Sequence, residues 1–216
     1  MPVARSPIVR SGATLAAIAA LCTALVAFTY ELTDDRIAAN EQAWLEQNLQ
    51  PALSGLTYDG NIGDSRVTIP SPHTLPGSGD ALAYRVYAGG EPTAVLFAVS
   101  ARDGYSGPIR LLVGVGMDGR LTGIHVLEHR ETPGLGDLVE SSKSDWAQQF
   151  RGRSIGDPVT AGWAIRRDGG TFDQLTGASV TPRAIIKAVR ETLESFAEHR
   201  EALFAMPADS STEMRE

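Results

Sequence analysis

The chain has 216 residues, a formal net charge of -7 at pH 7 and one cysteine. This length is enough for one domain with a sizeable hydrophobic core and one smaller appendage. The acidic balance argues against a nucleic-acid partner, because phosphate backbones are bound by basic surfaces. The single Cys22 excludes an intramolecular disulfide, and one thiolate cannot hold an iron–sulfur cluster.

The first predicted element is a transmembrane helix over residues 13–31. Residues 13–30 carry no charged side chain and are mostly Ala, Leu, Val, Ile and Phe. As a helix this stretch is about 27 Å long, close to the hydrocarbon thickness of a bilayer. Basic residues precede it and acidic residues follow it, so we expect a cytoplasmic N-terminus at 1–12 and an exported domain beyond the helix. A cleaved signal peptide is the alternative, which the length of the apolar run and the lack of a small-x-small cleavage site disfavour.

Residues 32–90 are predicted to form a helical and loop-rich approach to the main domain. Apolar residues recur at helical spacing from Ile37 to Leu49, which predicts a helix that ends near Pro51. Glycine, proline, serine and aspartate then dominate residues 55–79, as is typical of a loop. Two short strands are predicted within this approach, at 66–69 and 82–88.

A β-meander is predicted next. Residues 93–101 are continuously apolar, which indicates a buried strand, and alternating apolar residues predict strands over 109–115 and 121–128. Asp118-Gly119, between the last two strands, is a strong hairpin signal. Successive strands of this kind pair antiparallel. The predicted fold class is therefore α+β, with a single N-terminal transmembrane helix followed by one exported domain whose antiparallel sheet is flanked by helices.

The pattern His125-x-x-Glu128-His129 matches the signature of an inverted zinc protease site. That chemistry needs a helix, which would bring both histidines to one face a single turn apart. On the predicted strand the two histidines would lie about 13 Å apart, and the glutamate would point to the other face. We therefore assign no metal ligand here.

Two loops rich in glycine border the meander strands. Residues 104–109 read GYSGPI, and a shaped turn accounts for all of them. Residues 131–136 read ETPGLG, a Thr-Pro turn with two glycines that holds Leu135 out in a loop. This second loop is equally compatible with a tight turn and with a surface on which a flat ring lies against main chain.

The C-terminal part combines short elements with one long helix. Trp146 and Phe150, four residues apart, predict a short helix capped by a nearby serine, and a short strand is predicted over 161–166. After Pro182 an apolar stripe predicts a long helix with one buried face, made by Ile185, Val189, Leu193 and Phe196. We expect the polar tail over 207–216 to be disordered.

The most informative stretch is DQLTGASVT at 173–181, directly before Pro182. Its small residues let backbone N–H groups approach a ligand closely. Thr181 suits a helix N-cap and Pro182 the first helical position, so the positive end of the following helix would face an anion placed at Thr181. From these residues alone, Thr181 is either a helix cap or an attachment point for a phosphate.

Three sequence blocks, in order after one hydrophobic helix, resemble a known family. Residues 173–181 resemble the motif D-x-x-[ST]-G-A-[ST]-x-T, in which FMN is joined to the last threonine by a phosphoester bond. The blocks GYSGPI at 104–109 and EHRETPGLG at 128–136 also resemble family sequence. The chain up to about residue 195 is thus similar to the G-subunit family of the Rnf (Rsx) ion-translocating electron transport complex. The C subunit of the sodium-pumping NADH:quinone reductase is a sister family, and Ser106-Gly107-Pro108 favours Rnf.

The resemblance implies a covalent FMN on Thr181, attached by a dedicated flavin transferase that uses FAD. It further implies an electron relay to and from other subunits of a complex in the cell inner membrane, with the main domain periplasmic and no complete active site in this chain. Residues 91–206 would be the FMN-binding domain. The alternative is an anchored assembly or binding module without a cofactor. The other implied cofactor contacts are Asp173, Thr176, Gly177, Ala178, Ser179, Val180, Glu131, Thr132, Pro133, Gly134, Leu135 and Gly136.

Overall fold

The computed structural model describes residues 11–26, 48–53, 55–60 and 62–209. The chain divides into two units, Met1–Trp44 and Leu45–Glu216.

In the first unit, residues 11–26 are α-helical. The large apolar side chains of this helix are exposed, among them Leu15 at 71%, Ile18 at 60%, Leu21 at 67% and Leu25 at 64%. Within the described residues, no helix combines the length and the apolar character needed to cross a membrane. The last residues of the predicted span, 27–31, lie outside the described residues.

The second unit is built around one five-stranded sheet. The strands lie in chain order, and each is antiparallel to the next. Gly119, in the turn between the last two strands, has a φ of +79°, as a tight hairpin turn requires. The predicted α+β class with an antiparallel meander is confirmed. The strands are β1 (Arg66–Ile69), β2 (Ala81–Ala88), β3 (Glu91–Ala101), β4 (Ile109–Gly116) and β5 (Leu121–Glu128).

The sheet begins before residue 91, where the sequence suggests the start of the main domain. Both strands predicted in the approach segment form, and β2 pairs with β1 on one side and with β3 on the other. Most of the helix predicted to end near Pro51 lies outside the described residues, but residues 48–52 are helical.

The central strand β3 is buried on both faces of the sheet. Phe97 and Val99 belong to the larger core under the C-terminal helix, whereas Ala94 and Leu96 belong to a second core under residues 48–53. A strand that is covered on both faces has no solvent-facing side chains to alternate with buried ones. This accounts for the continuously apolar sequence of β3.

One long helix, Val180–Ala205, packs against the sheet. The four side chains of its predicted apolar stripe are all buried, and Phe196 meets Phe97 edge-on with ring centroids 6.1 Å apart. Fully burying a side chain of this kind stabilises the packed helix by about 1.5–3 kcal/mol. The helix N-terminus, which carries Thr181, is therefore fixed by the core.

Five short 3₁₀ helices complete the described part of the second unit. The predicted short helix at Trp146–Phe150 is confirmed in this form, and the Trp146 N–H donates to Ser144 Oγ at 3.1 Å. The others are Ile62–Ser65, Gly136–Val139, Thr160–Gly162 and Arg166–Asp168.

The strand predicted over 161–166 is wrong. The chain turns at Gly162, whose carbonyl accepts the Thr171 N–H at 3.0 Å, and only one isolated bridge, Ile165 to Phe172, has strand pairing. The apolar side chains that suggested a strand lie on a compact loop and pack into the core from there.

The tail predicted to be disordered from residue 207 is ordered at its start. Asp209 accepts hydrogen bonds from Arg66 Nε at 3.0 Å and from Thr68 Oγ1 at 2.7 Å. These contacts fasten the chain after the long helix to β1. Residues 210–216 lie outside the described residues.

Candidate functional site

The motif at 173–181 folds as a tight turn that leads into the long helix. The Ala178 N–H closes the turn by donating to the Leu175 carbonyl at 3.1 Å. Gly177 has a φ of +81°, a left-handed conformation that favours glycine. A Cβ on Gly177 would also lie 3.0 Å from Leu135 Cδ2. Glycine is therefore needed here both for the turn and for the close approach of Leu135.

Thr181 does not occupy the N-cap position that the sequence suggests for it. The helix begins at Val180 with Ser179 in the cap position, so Thr181 and Pro182 both lie buried in the first turn. Proline is tolerated there because the first-turn N–H groups have no acceptor within the helix. The cap prediction fails because the Thr181 hydroxyl bonds across the site instead of along its own helix.

The partner of Thr181 is the buried carboxylate of Glu131. Thr181 Oγ1 donates a hydrogen bond to Glu131 Oε2, and the two residues are 0% and 4% exposed. The other oxygen, Oε1, accepts the Ser106 N–H at 2.9 Å. Both carboxylate oxygens thus have donors, which offsets the cost of burying the group. Glu131 connects all three sequence blocks that carry the family resemblance.

Gly136 brings the 131–136 loop against this pair. The loop is a tight turn, in which the Gly136 N–H donates to the Thr132 carbonyl at 3.1 Å. A Cβ on Gly136 would lie 2.8 Å from Glu131 Cβ and 3.0 Å from Thr181 Oγ1. Only a residue without a side chain allows this approach, so both turns of the site depend on glycine.

The two loops and the helix start enclose a cavity of about 220 Å³. Thr181 lies at the N-terminus of the long helix, where the helix dipole favours an anion. Exposed apolar surface lies at the cavity, with Leu135 at 40% and Val180 at 41% exposed. The cavity is lined by Tyr105, Glu131, Thr132, Leu135, Gly136, Gly177, Ala178, Ser179, Val180 and Thr181.

Four of the predicted contact residues are not part of the cavity lining: Pro133, Gly134, Asp173 and Thr176. Asp173 has a positioning role in the turn. Its carboxylate pairs with Arg166 at 3.1 Å, and its backbone carbonyl accepts Trp146 Nε1–H at 2.7 Å. Gly134 supplies the positive φ of the 131–136 turn, at +78°.

Tyr105 is the lining residue that the sequence reasoning missed. Its loop reads as a shaped turn, yet the side chain is 73% exposed and borders the cavity. An aromatic residue held out between two glycines is the signal that would have found it. The loop is fastened to the long helix by Lys187 Nζ, 2.6 Å from Asp103 Oδ2, and this hydrogen bond raises the pKa of Lys187.

The two histidines of the zinc-like pattern are carried on and just after β5, as the strand prediction requires. His125 contacts Asn48 and Ser141, and burial lowers its pKa. His129 Nε2 lies 2.7 Å from Glu140 Oε1. Across the described residues, no group of three or more His, Cys, Asp or Glu side chains is placed to hold a metal.

A larger cavity, of about 430 Å³, lies between the loop around His73 and the C-terminal half of the long helix. Its lining contains none of the predicted site residues and is mostly apolar. The larger cavity is therefore not the one at which the three sequence blocks meet.

Comparison of the sequence with known families places an FMN-binding domain in this part of the chain. The sequence family described as FMN-binding domain matches residues 104–194, which include every residue that lines the 220 Å³ cavity. The family described as RnfG N-terminal region matches residues 1–51.

Whole-length relatives agree with both matches. The chain is 43% identical to the G subunit of the ion-translocating oxidoreductase complex from Pseudomonas aeruginosa, over 93% of this chain and 94% of the relative. It is 40% identical to the protein of that name from Vibrio vulnificus (92% and 93% covered) and 37% identical to the one from Shewanella oneidensis (94% and 95%). The chain belongs to the G-subunit family of the ion-translocating oxidoreductase complex, which confirms the resemblance drawn from the motifs.

Proposed function

We propose that this chain carries FMN on Thr181, through a phosphoester bond, and relays electrons within an ion-translocating oxidoreductase complex. The observation that carries the proposal is the position of Thr181, which lines the cavity from the first turn of a helix fixed by the core. A cofactor bonded there would be held on a rigid element, as a precise site requires.

The residues of the cavity suit both parts of FMN. The N-terminus of a 26-residue helix favours the phosphate charge. Gly136 leaves room for Glu131 beside Thr181, and Gly177 leaves room for Leu135, so these two glycines shape the wall of the cavity. Tyr105, Leu135 and Val180 offer exposed aromatic and apolar surface for a flat ring.

The cavity is smaller than a site that encloses a whole flavin. Sites that hold small molecules by enclosing them typically measure about 300–1,000 Å³. This cavity, at about 220 Å³, is smaller. A flavin placed here would remain partly exposed, and the bond to Thr181 would retain it. An exposed ring also suits electron exchange with another subunit.

The electron-transfer chemistry would belong to FMN, and this chain would supply position and electrostatics. With one cysteine in the sequence, the chain cannot bind an iron–sulfur cluster by itself. Other subunits would therefore donate and accept the electrons, and a flavin transferase using FAD would attach the cofactor.

We also propose that the N-terminal segment anchors the chain in the cell inner membrane, with the domain on the periplasmic side. The exposed leucine and isoleucine side chains of helix 11–26 support this, because a contiguous apolar surface of this kind is rarely left in water. The basic residues before the apolar stretch and the acidic residues after it support the orientation.

A denaturing gel tests the attachment. Membranes from cells that make the full chain and the flavin transferase are run under ultraviolet light. The wild-type chain is expected to give a fluorescent band, and Thr181→Val, which removes only the hydroxyl function, is expected to give none. Thr160→Ala, an exposed threonine in a separate 3₁₀ helix, is the control and should stay fluorescent. A wild-type band without fluorescence, or a fluorescent Thr181→Val band, contradicts the proposal.

A further inference from the structure

We propose that His129 is a positioning residue of the flavin site and acts through the main chain of Glu131, an inference that rests on the proposed function. The Glu131 N–H donates to His129 Nδ1 at 3.1 Å, two residues back along the chain. The carboxyl group of Glu131 contacts Thr181, and the loop that begins at Glu131 carries Leu135 into the cavity wall. The position of the His129 ring therefore sets where this loop begins.

Two hydrogen bonds fix the tautomer of the His129 ring. The backbone N–H that donates to Nδ1 requires a lone pair there, and the Glu140 carboxylate, 2.7 Å from Nε2, requires a proton on that nitrogen. The hydrogen bond from Lys143 lowers the pKa of Glu140, although burial opposes it, so Glu140 is ionised near neutral pH. The ring is thus a neutral imidazole with its proton on Nε2, and the other tautomer would lose both bonds.

Glu140 and Lys143 join the two ends of the 131–136 loop. Lys143 Nζ lies 2.6 Å from Glu140 Oε1 and 3.0 Å from Asp137 Oδ2, and Asp137 belongs to the 3₁₀ helix at the end of the loop. His129 precedes the loop and shares the same Glu140 oxygen. These side chains therefore hold the start and the end of the loop together, and the His129 ring carries that constraint to the main chain beside the cavity.

Nitrogen NMR of the full chain in detergent tests the tautomer in protein made without the flavin transferase. With ¹⁵N-labelled histidine at about pH 8, where an ordinary imidazole is neutral, we expect His129 to carry its proton on Nε2. His199 provides the opposite case, because its Nδ1 lies 3.1 Å from the Ser195 carbonyl, which only accepts. Each signal is assigned by its loss in the matching glutamine variant. A His129 ring protonated on Nδ1 overturns the inference.

Two substitutions separate positioning from general packing. His129→Asn keeps an acceptor for the Glu131 N–H, in the manner of an Asx turn, but loses the donor to Glu140. His129→Gln is longer, so its amide reaches Glu140 but leaves the Glu131 N–H without that acceptor. We expect amide exchange across 131–136 to become about five- to tenfold faster in His129→Gln, as the loss of one hydrogen bond implies, and to stay within about twofold of wild type in His129→Asn. His199→Gln, on the long helix, is the control and should leave this exchange unchanged.

Chains loaded with flavin give a second readout. Iodide should quench the flavin fluorescence of His129→Gln more strongly than that of wild type, because a loosened loop exposes the ring, whereas His129→Asn should match wild type. Equal effects of the two substitutions, or unchanged exchange in His129→Gln, overturn the inference. If His129→Gln does not fold, Glu140→Ala replaces it. A ring without that acceptor is free to turn, so exchange across 131–136 should again rise, and an unchanged rate overturns the inference. A wild-type chain without flavin contradicts the proposed function, whereas the tautomer and the exchange rates still test the role of His129.

Discussion

At the scale of single residues, the site depends on two glycines for two different reasons. Gly177 provides a left-handed turn, with a φ of +81°, whereas Gly136 provides space beside Glu131 and Thr181. The first requirement is local and can be anticipated from the small residues of the motif. The second involves atoms brought together from distant parts of the sequence, so its reason becomes visible only in the folded chain.

Gly136→Ala should disturb the site through a single methyl group. The new Cβ would lie 2.8 Å from Glu131 Cβ and 3.0 Å from Thr181 Oγ1, so the loop or the carboxylate must shift. We expect the free energy of unfolding to fall by about 1–3 kcal/mol, as overpacking usually costs, and flavin labelling to slow. Denaturant titration and in-gel fluorescence measure the two effects. Gly156→Ala is the control, because a Cβ there meets nothing within 4 Å; equal stability of both variants would refute the packing argument.

At the scale of elements, paired glycines let residues 48–53 approach the sheet. Gly114 of β4 lies opposite Gly123 of β5, and both face the backbone carbonyls of that segment. Thr122 Oγ1 donates to the Ala52 carbonyl at 2.5 Å and locks the contact. The apolar spacing before Pro51 predicts a helix, but it does not say which surface the helix covers. The face of the sheet that carries Gly114 and Gly123 has room for this segment, and so it determines where the segment packs.

Gly123→Ala should push this segment away from the sheet. A Cβ at this position would lie 2.8 Å from the Pro51 carbonyl oxygen, and backbone cannot move aside as a flexible side chain does. A loss of about 1–3 kcal/mol in unfolding free energy is expected. Amide hydrogen exchange should become faster in residues 48–53 and in β5, while exchange in the long helix stays the same. Unchanged exchange in 48–53 would count against the proposed contact.

At the scale of the whole described domain, the segment after the long helix, residues 206–209, contacts the first strands of the sheet. Arg85 of β2 donates to the Met206 carbonyl at 2.8 Å, and Asp209 bonds to Arg66 and Thr68 of β1. Burial raises the pKa of Asp209, but the hydrogen bonds from Thr68 and Arg66 outweigh it, so the pKa lies below its ordinary value. The long helix is thus held at both ends, by the site at one and by these contacts at the other.

Asp209→Asn should weaken these contacts in a pH-dependent way. A carboxylate whose folded pKa is depressed stabilises the fold above its unfolded pKa, about 3.9, and the stabilisation is lost as the pH falls through the folded pKa. The variant should therefore be less stable than wild type by about 1 kcal/mol at pH 7, and the difference should shrink as the pH falls below the unfolded pKa of about 3.9. Thermal melting across this range measures it. Glu201→Gln, exposed on the long helix, should show no such dependence.

Much of the architecture is readable from local sequence. Alternation marks β4 and β5, Asp118-Gly119 marks their hairpin, and the stripe from Ile185 to Phe196 marks the buried face of the long helix. These features depend on backbone sterics and on the regular spacing of buried side chains along one helix or strand. Both are determined by residues close together in the sequence. The strand predicted over 161–166 fails because apolar residues in a compact loop have the same local pattern.

Local sequence patterns could not predict which residues meet at the site. Thr181 has the sequence of a helix cap, but its partner Glu131 lies fifty positions earlier in the chain, and Tyr105 joins them from a third loop. Which residues meet across such separations depends on how the sheet and the long helix pack, and no local rule encodes that packing. The motif singled out the threonine, and only the fold showed that its hydroxyl bonds to a buried carboxylate instead of capping its own helix.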